Sequence, residues 1–236
     1  MEKNIYDEYR SGFQHTPQTT SELPVIDHSP CAEGNAAMND GKFDLAITCF
    51  AVGISRSPGC PNGYFNRGLA YEHKGEHGKA ISDFTNAIRL KCDFAEAYWC
   101  RGLAHENKGD HVEAIADSTE AIRLDARCAA AYCNRGAAYV NTGEDDSALA
   151  DFEETIHLAP ESFQAFYNRG MIYGRKGEFA KAIADFTEAI RLQPDLAIAF
   201  YNRGVVYNNK GDEAKAKNDL DEAIKLGFVP QETLDE

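Results

Sequence analysis

Four asparagines fall on one 34-residue step, Asn66, Asn134, Asn168 and Asn202, with Cys100 standing in the place between the first two. An asparagine side chain carries both N–H donors and a carbonyl acceptor, so a row of them can pair with the amides of an extended peptide whatever its sequence. One residue ahead of that series runs an aromatic one, Phe65, Trp99, Tyr167 and Tyr201; three residues behind it runs an apolar one, Leu69, Leu103, Met171 and Val205. Aromatic side chains and methionine are enriched where proteins bind other proteins, and aromatics dominate the energetic hot spots. The same residues also suit stacking between neighbouring structural units, and at this point both readings stand.

Other chemistry is harder to assemble. His73 and His77 have the spacing of two imidazoles on one helix face, but Gly75 between them interrupts a helix, so exposed turn histidines are expected. Gly75-Glu76-His77-Gly78-Lys79 has the composition of a phosphate loop with its glycines at the wrong separation. Asp145-Asp146 and Glu153-Glu154 are adjacent carboxylates, which on a helix do not face each other. No Gly-x-Ser-x-Gly or Gly-x-Gly-x-x-Gly is present, so no catalytic centre, cofactor or metal is expected.

The elements that carry these series repeat. Gly34, Gly68, Gly102, Gly136, Gly170 and Gly204 are 34 residues apart, and so are Gly41, Gly75, Gly109, Gly143, Gly177 and Gly211. Such a period means stacked helical hairpins. The first series removes a side chain where two helices approach, facing Ala46, Ala80, Ala114, Ala148, Ala182 and Ala216; the second supplies a helix end that accepts positive φ. Ala182, Ile183, Phe186, Ala189 and Ile190 form one apolar stripe, and Pro160 and Pro194 are expected to end helices. Arg67, Arg101, Arg135, Arg169 and Arg203 keep step with Asp83, Asp117, Asp151, Asp185 and Asp219, which predicts Arg–Asp pairs inside each hairpin.

With aromatics at Tyr71, Tyr139, Tyr173 and Tyr207, phenylalanines at Phe50, Phe84, Phe152 and Phe186, and alanines at Ala87, Ala121, Ala189 and Ala223, the pattern resembles the tetratricopeptide repeat family. Departures are local: Ala37 and His105 lack the aromatic, Ser118 replaces a phenylalanine, and Thr155 replaces an alanine. The resemblance implies an all-α fold, a right-handed superhelical solenoid of six repeats at 27–60, 61–94, 95–128, 129–162, 163–196 and 197–230, between a polar leader at 1–26 and a tail at 231–236. The leader is expected to be disordered or docked as a cap. In this family the first helices line an inner groove, so the resemblance assigns Phe65, Asn66, Leu69, Trp99, Leu103, Asn134, Tyr167, Asn168, Met171, Tyr201, Asn202 and Val205 to a partner-binding surface. Members that clamp the C-terminal carboxylate of heat-shock chaperones need cations; here those places hold Cys31, Glu96 and Cys100, which excludes that clamp.

Composition narrows the partner. The net charge of -14 opposes a phosphate backbone, so nucleic acid is not expected. No apolar run approaches the roughly 20 residues of a membrane span, and the first residues lack a signal-peptide core, so a soluble cytoplasmic protein is expected. Seven cysteines without zinc-like spacing fit unpaired packing residues, with Cys100 and Cys133 on the inner groove. Glu72, Glu96 and Glu106 give the groove an acidic cast, which predicts a basic, amphipathic peptide or helix as ligand of a non-catalytic adaptor. The alternative is a structural subunit that assembles through its ends or convex face.

Overall fold

The computed structural model describes residues 30–229, so the expectations for 1–26 and 231–236 lie outside the described residues. The described residues hold twelve helices and no strand: α1 (Pro30–Asn39), α2 (Phe43–Arg56), α3 (Pro61–His73), α4 (His77–Leu90), α5 (Ala95–Lys108), α6 (His111–Leu124), α7 (Ala129–Thr142), α8 (Asp145–Leu158), α9 (Phe163–Arg175), α10 (Phe179–Leu192), α11 (Ala197–Asn209) and α12 (Glu213–Lys225). They belong to two compact units, divided between Thr142 and Gly143: α1–α7 in the first, α8–α12 in the second. Each is an all-α stack of helical hairpins.

The turns are made as the glycine series predicts. Gly41, Gly75, Gly109, Gly143, Gly177 and Gly211 all have φ between 69° and 86°. At Gly75 its N–H reaches the Glu72 carbonyl and the next N–H reaches Tyr71, both at 2.9 Å. Those bonds satisfy carbonyls that the helix end leaves without partners.

Proline is dispensable at the other end of the hairpin. α4 and α6 stop at Leu90 and Leu124, the equivalents of Leu158 and Leu192, although Cys92 and Ala126 stand where Pro160 and Pro194 do elsewhere. In each case the residue after the helix turns away from helical geometry, as Lys91 does, still bonding back to the Ala87 carbonyl.

The first glycine series permits close approach, but its partner differs from the expected alanine. A Cβ on Gly34 or Gly68 would lie 2.5 Å from Phe50 and 2.7 Å from Phe84, while the alanines contribute only backbone carbonyls, at Gly102 and Gly204. Phe50, Phe84, Phe152 and Phe186 are at most 1% exposed. Burying each contributes about 2–3 kcal/mol, so at Gly34, Gly68 and Gly170 the glycine lets a ring lie across the helix, while Ser118 and Leu220 take that place at Gly102 and Gly204.

Each core cluster draws on three helices. Ala37 of α1, Ala46 and Phe50 of α2 and Ala70 of α3 form one; Ala182 and Phe186 of α10, Val206 of α11 and the partly buried Tyr167 and Met171 of α9 form another. No hairpin completes its core alone, which makes stacking obligatory. Successive first helices also touch, α1 with α3, α3 with α5, α5 with α7 and α9 with α11, but successive second helices do not to a comparable extent. Within each unit the first helices therefore crowd together and form the inner face.

Candidate functional site on the inner faces

The arginine series sets the frame. The guanidinium of Arg67 donates to both oxygens of Asp83 at 2.7 and 2.8 Å, and Arg101–Asp117, Arg169–Asp185 and Arg203–Asp219 repeat the fork at 2.7–2.8 Å. A second arm reaches back one repeat: Arg101 donates to Thr85, Arg135 to Thr119 and Arg203 to Thr187, at 2.9–3.1 Å. The aspartates push the Arg67, Arg101, Arg169 and Arg203 pKa values up, and aromatic faces such as Tyr98 and Phe200 cover the cations. These arginines join the hairpins and are not available to a ligand anion. The Arg–Asp spacing predicts only the bond inside each hairpin; the arm to the preceding repeat goes beyond it, although the threonines share the period.

On the first unit's inner face, Phe65 lies between Phe84 and Phe94, with ring centroids at 5.8 and 4.9 Å. Phe65, Leu69 and Trp99 pack around one cluster, Ala80, Phe84, Cys100 and Ala104, and remain partly accessible, as does Leu103. Asn66 donates to Asn35 at 3.2 Å. Asn134 is 5% exposed and its amide reaches the Trp99 carbonyl at 3.5 Å, so it positions α5 and offers little surface. Cys100 and Cys133 are buried, 4% and 0% exposed, and do not line the inner face as expected.

On the second unit's inner face, Tyr167, Met171 and Asn202 meet directly. The Asn202 amide donates to the Tyr167 hydroxyl at 2.9 Å and to the Met171 sulfur at 3.2 Å. Burial pushes the Tyr167 pKa up to about 12 against that bond, which favours the phenolate. Tyr201 stacks on Phe228 at 4.4 Å, Asn168 is half-buried, and Val205 is 37% exposed.

The expected acidic cast is corrected. Glu72 and Glu106 are only 6% and 7% exposed. Glu72 takes one bond from Asn107 at 2.6 Å and another with His77 Nδ1 at 2.9 Å; Glu106 repeats this with Asn141 at 2.5 Å and His111 at 2.9 Å. A buried carboxylate needs such partners, and here they come from its own hairpin turn and from the next repeat. His77 is thus half-buried and bonded, not an exposed turn histidine. The signal is present in the sequence as Glu, His and Asn each recurring 34 residues apart. Of the three glutamates only Glu96 is exposed.

Three of the thiols are held away from nucleophilic reactivity. Burial pushes Cys100 well up and Cys128 up to about 11, and it also raises Cys31. Among the described residues no group of His, Cys, Asp and Glu has the arrangement of a metal site, and no helix is long and apolar enough to cross a membrane.

Stacked helical hairpins of this length, glycine-turned and joined through their first helices, define a class, and comparison with known proteins gives its name. Family profiles for the tetratricopeptide repeat match residues 31–91, 95–128, 128–159, 163–196 and 197–226, and the chain belongs to that family. Among solved structures it is similar to YrrB, described as a TPR protein with an unusual peptide-binding site, at 25% identity and a TM-score of 0.61, covering 75% of this chain and 92% of that one. It is also similar to MamA, at 27% identity and 0.63, covering 74% and 99%. A tetratricopeptide repeat protein from Parabacteroides merdae shares the fold at 20% identity and 0.66, covering 86% and 79%.

Proposed function

We propose that this protein is a non-catalytic adaptor that holds a peptide or helical segment of a partner protein against the inner faces of its first helices. The observation that carries this reading is that aromatic and apolar side chains at fixed places in successive first helices keep accessible surface: Phe65, Leu69, Trp99 and Leu103 in one unit, Tyr167, Met171, Tyr201 and Val205 in the other. The peptide-binding site of YrrB supports it by analogy. The raised thiol pKa values and the internal pairing of the arginines argue against catalysis and against an anionic ligand such as nucleic acid. Free thiols at Cys31, Cys49, Cys60, Cys92, Cys100 and Cys128 suit the cytoplasm.

The test is affinity capture with Leu69→Asp and Val205→Asp against Val112→Asp, which alters an outer residue that is 71% exposed. Partner recovery is expected to fall about tenfold or more for the inner-face changes and to hold for the outer one. Equal recovery from all three defeats the inner-face assignment.

A second reading, assembly through an end, is favoured by one feature. Ile224 and Val229, 59% and 60% exposed, continue a stripe whose equivalent in the preceding hairpin, Ile190, packs against Phe163, Ala189, Leu196 and Ala199. Light scattering that finds a concentration-dependent oligomer abolished by Ile224→Glu decides for assembly.

A further inference from the structure

The inner face of the first unit has one carboxylate left to offer. Glu72 and Glu106 are buried and bonded to His77, Asn107, His111 and Asn141. Glu96, on the first turn of α5, is exposed and has no ion-pair partner among the described residues. The two cations nearest to it along the chain are engaged elsewhere. Lys91 lies over the Phe94 ring with its ammonium 4.5 Å from the centroid, and Arg101 is forked on Asp117. The neighbouring thiols of Cys100 and Cys128 add no negative charge at neutral pH, where a thiol of ordinary pKa 9.0 is already protonated and burial raises these two further.

One helical turn beyond Glu96 stands Trp99, the chain's single tryptophan. Residues three apart on a helix are neighbours, with about 5–6 Å between Cβ atoms. Part of the indole packs on the Ala80, Phe84, Cys100 and Ala104 cluster and the rest meets solvent. The Asn134 amide on the Trp99 carbonyl, together with Phe65 and Leu69 packing around the same cluster, fixes the backbone and floor beneath it. A carboxylate one helical turn from a partly accessible indole is complementary to a cation: an aromatic ring offers its negative face and the carboxylate the counter-charge.

We propose that α5 is the charge-reading position of the inner face, where the lysine or arginine side chain of a partner segment lies between the Glu96 carboxylate and the Trp99 ring while neighbouring apolar side chains of that segment rest on Phe65, Leu69 and Leu103. The proposal rests on the adaptor reading above and adds the partner's chemistry: the inner face takes a basic residue flanked by apolar ones and rejects an acidic one. The chain's net charge of -14 acts in the same direction by drawing basic segments toward it.

The test uses an array of dodecapeptides of equal apolar content whose central residue is lysine, arginine, norleucine or glutamate, probed with the intact protein, with Glu96→Gln and with Glu96→Lys. Because Glu96 is exposed, both variants are expected to fold, which circular dichroism checks. Lysine and arginine peptides are expected to bind the intact protein about threefold to tenfold better than the norleucine peptide. Glu96→Gln should remove that preference, and Glu96→Lys should move it to the glutamate peptide. Trp99 emission should respond to the lysine peptide in solution and not to the glutamate one. Peptides that bind without regard to the central residue, or a lysine preference that survives Glu96→Lys, overturn the proposal while leaving the adaptor reading intact. No binding by any peptide overturns the adaptor reading itself.

Discussion

The first and second units share one backbone plan and join their hairpins by different chemistry. In the first, Glu72 and Glu106 are buried and tie the second hairpin to the third and the third to α7 through Asn107 and Asn141, with His77 and His111 on the other carboxylate oxygen. In the second, Gly174 and Asn208 occupy the equivalent places, and α9 meets α11 through Met171, Tyr167 and Asn202. All seven cysteines belong to the first unit, and its third repeat has Ser118 where the others carry a phenylalanine or Leu220. The Ser118 hydroxyl is fully buried and has no hydrogen-bond partner among the described residues. The difference teaches that the fold is specified by the glycine turns, the close approach at the first glycine and the Arg–Asp fork, while the means of joining neighbours is free to vary. In the first unit that freedom consumes two of the inner face's three carboxylates.

The largest expected contrast is at high pH. A thiol whose folded pKa is raised favours the protonated, folded state; its contribution is complete below the unfolded pKa and is lost as pH rises toward the folded one. For Cys128 the window runs from 9.0 to about 11, and for Tyr167 from 10.0 to about 12. Hydrogen exchange read separately over α5–α7 and α9–α11 should show the first unit weakening about one pH unit earlier, each by up to about 3 kcal/mol. Cys128→Ala should reduce the earlier loss, the remainder belonging to Cys100, whose thiol burial also raises, and Tyr167→Phe should remove the later one. Simultaneous weakening in both variants would mean that the two environments do not act separately.

A somewhat smaller contrast comes from the close approach. Gly68→Ala places its Cβ 2.7 Å from the Phe84 ring, whereas Gly170→Ala meets Phe186 at 3.1 Å. Overpacking costs about 1–3 kcal/mol, and losing a helical glycine returns about 1 kcal/mol. Gly68→Ala should therefore destabilise by up to about 2 kcal/mol and Gly170→Ala by little, as thermal or denaturant unfolding will measure.

Most of the fold was legible in the sequence, because a period enforced by backbone sterics leaves glycines at fixed places and a stacking core leaves apolar residues at fixed places. Gly75 and Gly177 announce their turns, and Arg169 announces its bond to Asp185. The space above Gly34 and Gly68 was not, since spacing alone does not say whether a phenylalanine or the alanine four residues before it lies opposite. The inner face was legible as a set of positions and less so as surface. Asn134, Glu72 and Glu106 fall on ligand-facing places, yet burial and partners supplied by the adjacent hairpin turn them inward. That outcome depends on contacts between residues about one repeat apart, which periodicity locates but does not orient.

The smallest expected effect asks whether the first unit's polar join can be moved. The second unit already has Asn209 where the first has Asn107 and Asn141, but Gly174 stands for the glutamate and Phe179 for the histidine. A Cβ on Gly174 would sit 3.6 Å from Val206, an ordinary contact, so a Cβ is accommodated there. Gly174→Glu alone should cost stability, because its carboxylate would have at most the Asn209 amide, and Phe179→His alone should cost the ring's packing on Ala182, Phe186 and Val206. Together they rebuild the triad, and a double-mutant cycle should return a favourable coupling of about 1 kcal/mol. That coupling should persist when Asn209→Ala is added while the double variant loses stability, because the imidazole remains on one carboxylate oxygen and the cross-repeat donor to the other is then missing. A cycle that closes with no coupling would mean that the polar join depends on features of the first unit beyond its three residues, and the freedom to vary the join would be narrower than the shared backbone suggests.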